Sequence, residues 1–123
     1  MPYVLKWEPS GVAIEFSGDI SIHDLEQATS EFQGDRRFDD IRYVIADYAR
    51  IRSCDARPHE IESVWAMDYG ARRSNPKVRK AVVTTRSEVL SLARNYVEHY
   101  GSDGFEVRTF ATRAEANLWV GAP

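Results

Sequence analysis

Cysteine is almost missing from this chain: Cys54 stands alone among 123 residues, which excludes an intrachain disulfide framework and fits a reducing cytosol. Histidine is nearly as scarce, and His23, His59 and His99 stand too far apart for a short-spaced metal motif. No metal and no cofactor is expected. No apolar stretch approaches the ~20 residues that a spanning helix needs. The opening Met1-Pro2-Tyr3-Val4-Leu5-Lys6-Trp7 lacks the basic and apolar regions of an export signal. A cytoplasmic protein that touches a membrane only peripherally, if at all, is the expectation. Positive charge is not in excess either. Sixteen Lys and Arg against 19 Asp and Glu leave a net charge of -3, the wrong sign for neutralising phosphates, so nucleic acid is not an expected partner.

What is present reads as one domain over residues 1–123, without repeat, linker or low-complexity segment. Tyr3 to Trp7 reads as a strand. After the turn-rich Glu8-Pro9-Ser10-Gly11, Val12, Ile14 and Phe16 alternate with Ala13, Glu15 and Ser17 to complete a half-buried hairpin. Ser21 and Asp24 form a capping-box variant ahead of a helix that carries Ile22, Leu25, Thr29 and Phe32 on one face and stops at Gly34. The apolar run Tyr43-Val44-Ile45-Ala46 suits a central strand, followed by an irregular stretch from Asp47 to Arg57.

Pro58 then starts a second helix that should end near Ser74-Asn75-Pro76. Ala81-Val82-Val83 is another interior strand. Thr85 with Glu88 is placed to cap a third helix burying Val89, Leu92, Ala93, Tyr96 and Tyr100, closed by Gly101. Phe105 to Phe110 reads as an edge-like strand, and Thr112 with Glu115 opens a last helix carrying Leu118 and Trp119. The order β-β-α-β-α-β-α-β-α predicts an α/β (mixed α+β) fold: a mixed sheet of about five strands packed with about four helices through right-handed crossovers.

That order resembles the STAS superfamily, and within it the SpoIIAA-like branch. The local cues are Gly34-Asp35-Arg36-Arg37-Phe38-Asp39-Asp40-Ile41-Arg42-Tyr43, Ala71-Arg72-Arg73-Ser74-Asn75-Pro76 and Ser91-Leu92-Ala93-Arg94-Asn95-Tyr96. In the phosphoswitch members an Asp-Ser-Ser/Thr-Gly run opens the second helix, and a kinase phosphorylates a serine there. Asp55 matches the Asp, but Ala56-Arg57-Pro58 follow, so hydroxyl and glycine are both missing. For the SpoIIAA-like branch the resemblance implies a bacterial cytoplasmic protein without established enzyme activity, with apolar-ligand binding and membrane-surface association as further possibilities.

The residues supply three candidate sites. Cys54 precedes a helix N-terminus that favours a thiolate, with Asp55 and His59 close by; a small side chain packed at a strand-to-helix corner accounts for it better, and no catalytic residue is assigned. Ser53 and Asp55 suit caps for the second helix. With Arg57 they also make its N-terminus a weak anion-site candidate. The basic cluster Arg72, Arg73, Lys77, Arg79 and Lys80 suits anionic headgroups or an acidic partner, yet a solvated helix-to-strand connection accounts for it better.

The second helix carries most information, because it is apolar on two sides. Val64, Met67 and Ala71, with Ser63 and Gly70, form one stripe; Ile61, Trp65 and Tyr69 form another, flanked by Asp68 and by Arg72, which read as a surface i,i+4 pair. Aromatic stripes at this spacing are more often core than recognition surface. In so small a domain, however, the sheet covers only one side of a helix, which leaves the aromatic stripe for a partner or ligand. The expectation is a non-catalytic STAS-like binding or regulatory module that acts through the second helix and the loop before it, on a protein partner or as a homodimer. The alternative is a carrier or sensor of an apolar small molecule or lipid held near Trp65, Tyr69 and Tyr96, and an enzyme using Cys54 comes third.

Overall fold

The computed structural model describes residues 2–101 and 104–122. Strands β1 (Tyr3–Glu8), β2 (Gly11–Ile20), β3 (Tyr43–Cys54), β4 (Arg79–Val83) and β5 (Glu106–Phe110) form one sheet in sequential order. β1 and β2 are the antiparallel hairpin, and the remaining neighbours are parallel. Each parallel step is bridged by a helix: α1 (Ile22–Gln33), α2 (Glu62–Ala71) and α3 (Ser87–Tyr100). Right-handed crossovers that step repeatedly in one direction place all their helices on the same face of the sheet. The main core accordingly joins Leu25, Phe32, Val64, Val89 and Leu92 from the helices to Ile14, Phe16, Ala46 and Val82 from the strands. α4 (Arg113–Val120) follows the last strand and covers the opposite face, where Ala116 meets Ala13, Tyr43, Ile45, Ala81 and Val83.

The predicted order and strand count are met, but the stretch after Ala46 is not irregular. β3 continues to Cys54 and stays paired with β2 as far as Ile20. The register explains why alternation failed to reveal it. Opposite Glu15 to Ser17, and again opposite Gly18 to Asp19, β3 spends one residue more than β2. Two such bulges put Tyr48, Ile51 and Cys54, three residues apart, on the buried side.

Helix starts also depart from expectation. Pro58 opens a short 3-10 turn (Pro58–Ile61) that leads into α2, and α2 ends at Ala71, before Ser74. The buried Asn75 then donates to the carbonyls of Phe38 and Ile41 at 2.8 and 2.7 Å, fixing the return to β4. Thr85 does not cap α3: Arg86 is the N-cap residue, and the Thr84 hydroxyl accepts from its N–H at 3.0 Å. The expected boxes at Ser21/Asp24 and Thr112/Glu115 are both formed.

Candidate functional site

α2 lies between α1 and α3, and its inward face is set by Val64 and Asp68 together with Ile61 from the 3-10 turn before it, all buried. This is neither of the two expected stripes but a line between them, since one turn of helix separates Ile61, Val64 and Asp68. Asp68 is the surprise: it is 0% exposed, and a buried carboxylate is tolerated only when paired and hydrogen-bonded. Its Oδ1 accepts from Gln33 Nε2 of α1 at 2.7 Å, and its Oδ2 accepts from the Tyr96 hydroxyl of α3 at 2.9 Å and from Lys80 Nζ of β4 at 3.3 Å. The expected surface pair of Asp68 with Arg72 is therefore corrected: Asp68 points inward and ties α2 to three other elements, while Arg72 is exposed. Burial, followed by the neighbouring Asp68 charge, pushes the Tyr96 phenol well above its ordinary pKa, so it stays a donor to Asp68. Its oxygen also accepts from Phe105 N–H at 3.3 Å.

Lys80 had counted among the basic cluster, but strand alternation divides that cluster. Lys80 turns under the helices, whereas Arg79 turns to the other face, where it pairs with Glu106 and lies over the Trp119 ring.

The aromatic stripe is split as well. Ile61 is core. Trp65 is half-buried, stacked on Tyr100 of α3 at 4.7 Å between ring centroids and tilted against Tyr69 at 5.4 Å. Tyr69 is 44% exposed, with the Arg73 guanidinium over its ring. The result is a ladder of three rings across α3 and α2, with Tyr100 and Trp65 half-buried and Tyr69 at the solvent end.

Beneath α2, a cavity of about 50 Å³ separates the helices from the sheet, walled by Phe16, Val64, Val82, Val89 and Leu92 among others. Ile61 and Tyr96 border it, but Trp65 and Tyr69 do not. An apolar ligand held jointly by Trp65, Tyr69 and Tyr96 thus has no common space: Tyr96 lines the cavity under α2, while Trp65 packs on Tyr100 beside the core and Tyr69 is exposed.

This arrangement of sheet and helices matches solved structures along almost the whole chain. The anti-sigma factor antagonist SpoIIAA in its unphosphorylated form superimposes with a TM-score of 0.59 at 17% identity over 98% of this chain and 99% of its own. The chain has the SpoIIAA-like, STAS fold. An anti-sigma factor antagonist from Mycobacterium paratuberculosis follows at 0.58 and 14% identity, covering 97% of this chain and 92% of that one. An uncharacterised protein with a SpoIIAA-like fold from Shewanella loihica PV-4 follows at 0.55 and 14%, covering 96% and 91%. No protein-family model and no curated protein matches the sequence.

In the SpoIIAA-like frame, the polar side chains at the end of β3 and in the turn before α2 are engaged otherwise than expected. Ser53 does not cap: its hydroxyl donates to Asp19 at 2.7 Å, and Arg52 pairs with the same carboxylate at 2.7 Å. These contacts hold Asp19 at about 2, below its usual range, with the Arg52 hydrogen bond as the first cause. Asp55 is exposed and caps nothing among the described residues. The capping role falls to Glu60, whose carboxylate accepts from Arg57 N–H at 2.7 Å and brings negative charge to the place an anion would take. Ala56 is buried, without a hydroxyl to modify. Cys54 is buried, and burial raises its thiol pKa, the opposite of an activated nucleophile.

No signal in the sequence marked Gln33 or Tyr48, while Tyr100 stood out only as a buried residue of the third helix and Lys80 only as part of the basic cluster. Of these, Tyr48 was hidden by the bulges of β3 and Lys80 by the charges around it. Only Asp68, a carboxylate on the inward arc of a helix between Val64 and Ala71, carried a signal that could have exposed the network.

Proposed function

We propose that this chain is a non-catalytic binding or regulatory module that engages a protein partner, or a second copy of itself, through α2 and the loop before it. The observation that carries the reading is the ring ladder. Trp65 is anchored on Tyr100, and Tyr69 is presented to solvent beside Arg73. Rigid aromatic groups with an arginine at the margin are the usual anchors of protein interfaces, because they bury much area for little lost entropy. The SpoIIAA-like fold supports a module of this kind, with the reservation built into the sequence at Ala56: the phosphoacceptor hydroxyl is missing, so control by that modification is not part of the proposal. Under this reading the protein works in the cytoplasm, where its single buried thiol stays reduced. No helix among the described residues is long and apolar enough to cross a membrane.

The carrier reading has less support. About 50 Å³ is a third of the ~150 Å³ cavity that admits benzene, so a lipid chain requires the helices to move apart.

A photo-crosslinking amino acid at position 69, with position 118 as the control, tests the proposal inside the native cell. Leu118 is 85% exposed but lies on α4, on the opposite face. A discrete adduct from position 69, suppressed by excess unmodified protein and not formed from position 118, is the expected result. Equal labelling from both positions overturns it.

A further inference from the structure

Four polar side chains line the cavity under α2, Thr29, Tyr48, Lys80 and Tyr96; the Tyr96 hydroxyl is spent on Asp68 and Phe105, and the other three have hydrogen-bonding capacity left over. Tyr48, on β3, is 9% exposed and stacks on Phe16 at 4.7 Å; its hydroxyl meets no hydrogen-bond partner among the described residues. Thr29, on α1, is 4% exposed, and its hydroxyl is likewise unpartnered among the described residues. Lys80 lines the same space and spends a single hydrogen bond, at 3.3 Å, on Asp68. An ammonium has three donors, so two remain. Neither hydroxyl is among the fully enclosed polar atoms, so each keeps accessible surface, and an unpartnered hydroxyl on a residue that lines a cavity is a place for a water or a ligand to bond.

We infer that this cavity is a binding site for a small neutral carbonyl compound of about four heavy atoms, which inserts a hydrogen-bond acceptor among Tyr48, Thr29 and Lys80. Size follows from volume. One water needs ~10–15 Å³ and benzene a cavity of ~150 Å³, so about 50 Å³ accepts something between the two. Acceptor chemistry follows from the three groups, all of which can donate, while Asp68 is already filled by Gln33, Tyr96 and Lys80. Neutrality follows from charge. Lys80 and Asp68 cancel, and a bound anion leaves an uncompensated negative charge between apolar walls. The remaining wall, including Ile14, Val82 and Leu92, takes the aliphatic part. The site lies on the inner side of α2 and stands independently of any partner on the outer, aromatic side.

Acetamide and acetate are nearly the same shape and differ in charge, and xenon fills apolar space without accepting a hydrogen bond. Titrating each into methyl-labelled protein, followed by carbon–proton correlation NMR, reads the site directly. Acetamide is expected to give saturable shifts at the methyls of Ile14, Val82 and Leu92, at concentrations on the order of millimolar for so small a ligand. Acetate should bind at least about tenfold more weakly. Tyr48→Phe removes one hydroxyl and keeps the ring on Phe16; it should weaken acetamide about tenfold, with xenon shifts retained as proof that fold and cavity persist. Non-saturable acetamide shifts, equal binding of acetate, or acetamide binding unchanged in Tyr48→Phe while xenon still enters each overturn the inference, and the first result leaves the cavity to ordered water only.

Discussion

Three helices lie on one face of the sheet, and the opposite face has a single helix of eight residues. The thin face is closed by small side chains, Ala13, Ala81 and Ala116, that let α4 sit near the strands, and its charges stay at the rim. There Arg113 reaches Glu8 at 3.0 Å and Asp47 at 3.9 Å, each partner partly open to solvent, and Tyr43 donates to Glu8. The thick face is built the other way round. It buries a complete ion pair, Asp68 with Lys80, at the junction of α1, α2, α3 and β4, and it keeps a cavity beside that pair. Buried ion pairs add little to stability compared with an apolar replacement, so their presence fits a fixed orientation of α2 better than a need for strength. The thin face serves closure, and the thick face sets where α2 stands.

The contrast is broken most sharply by removing one partner on each side. Asp68→Ala leaves a buried ammonium and two donors without their acceptor, and urea denaturation should show a loss of about 3–5 kcal/mol. Glu8→Gln keeps a hydrogen-bond acceptor at the half-exposed rim and should lose no more than about 1 kcal/mol. Equal losses would mean that the two faces are held alike. A smaller effect tests the closeness of the thin face: a Cβ at Gly11 would overlap the Tyr43 ring, so Gly11→Ala should lower stability by about 1–3 kcal/mol through overpacking. Cys54→Ala should cost on the order of 1 kcal/mol and leave binding at α2 unchanged, as expected for a packed thiol with a raised pKa. Tyr69→Ser belongs at the low end for stability, within about 0.5 kcal/mol by thermal denaturation, and should abolish the proposed association through α2.

The smallest effect concerns acid. Asp19 is lowered to about 2 in the folded protein by Arg52 and Ser53, so the contact contributes stability that is present above the ordinary carboxylate range and lost as pH falls through about 2. Carboxyl-carbon NMR should place the Asp19 midpoint near 2 in the parent protein. In Arg52→Ala it should move up toward the ordinary value, and a midpoint that stays put would assign the shift elsewhere.

Element order, the hairpin, two of the capping boxes and the edge position of β5 were all legible in the sequence, because each depends on neighbours within a few residues. The length of β3 was not. Its bulges are defined against β2, some thirty residues earlier, and no local period contains that information. For the same reason α2 was read as two stripes: hydrophobicity places Val64 and Ile61 well, but the inward turn of Asp68 depends on Gln33, Lys80 and Tyr96 being there to receive it. Ring contacts followed the same rule. Trp65 and Tyr69 were legible as an aromatic stripe but not as core or surface, because the ring that stacks on Trp65, Tyr100, comes from another helix.

One hydroxyl links parts of the chain that have no backbone pairing with each other. Tyr96 donates to Asp68 on α2 and accepts from the amide of Phe105, just before β5, and its oxygen fills the place where a side chain at Gly104 would begin. Departure of α2 would take Asp68 from that oxygen and leave the phenol free to swing, exposing the Phe105 amide to exchange with solvent. A single slow proton near the last strand would therefore keep time for the docking of a helix more than thirty residues away.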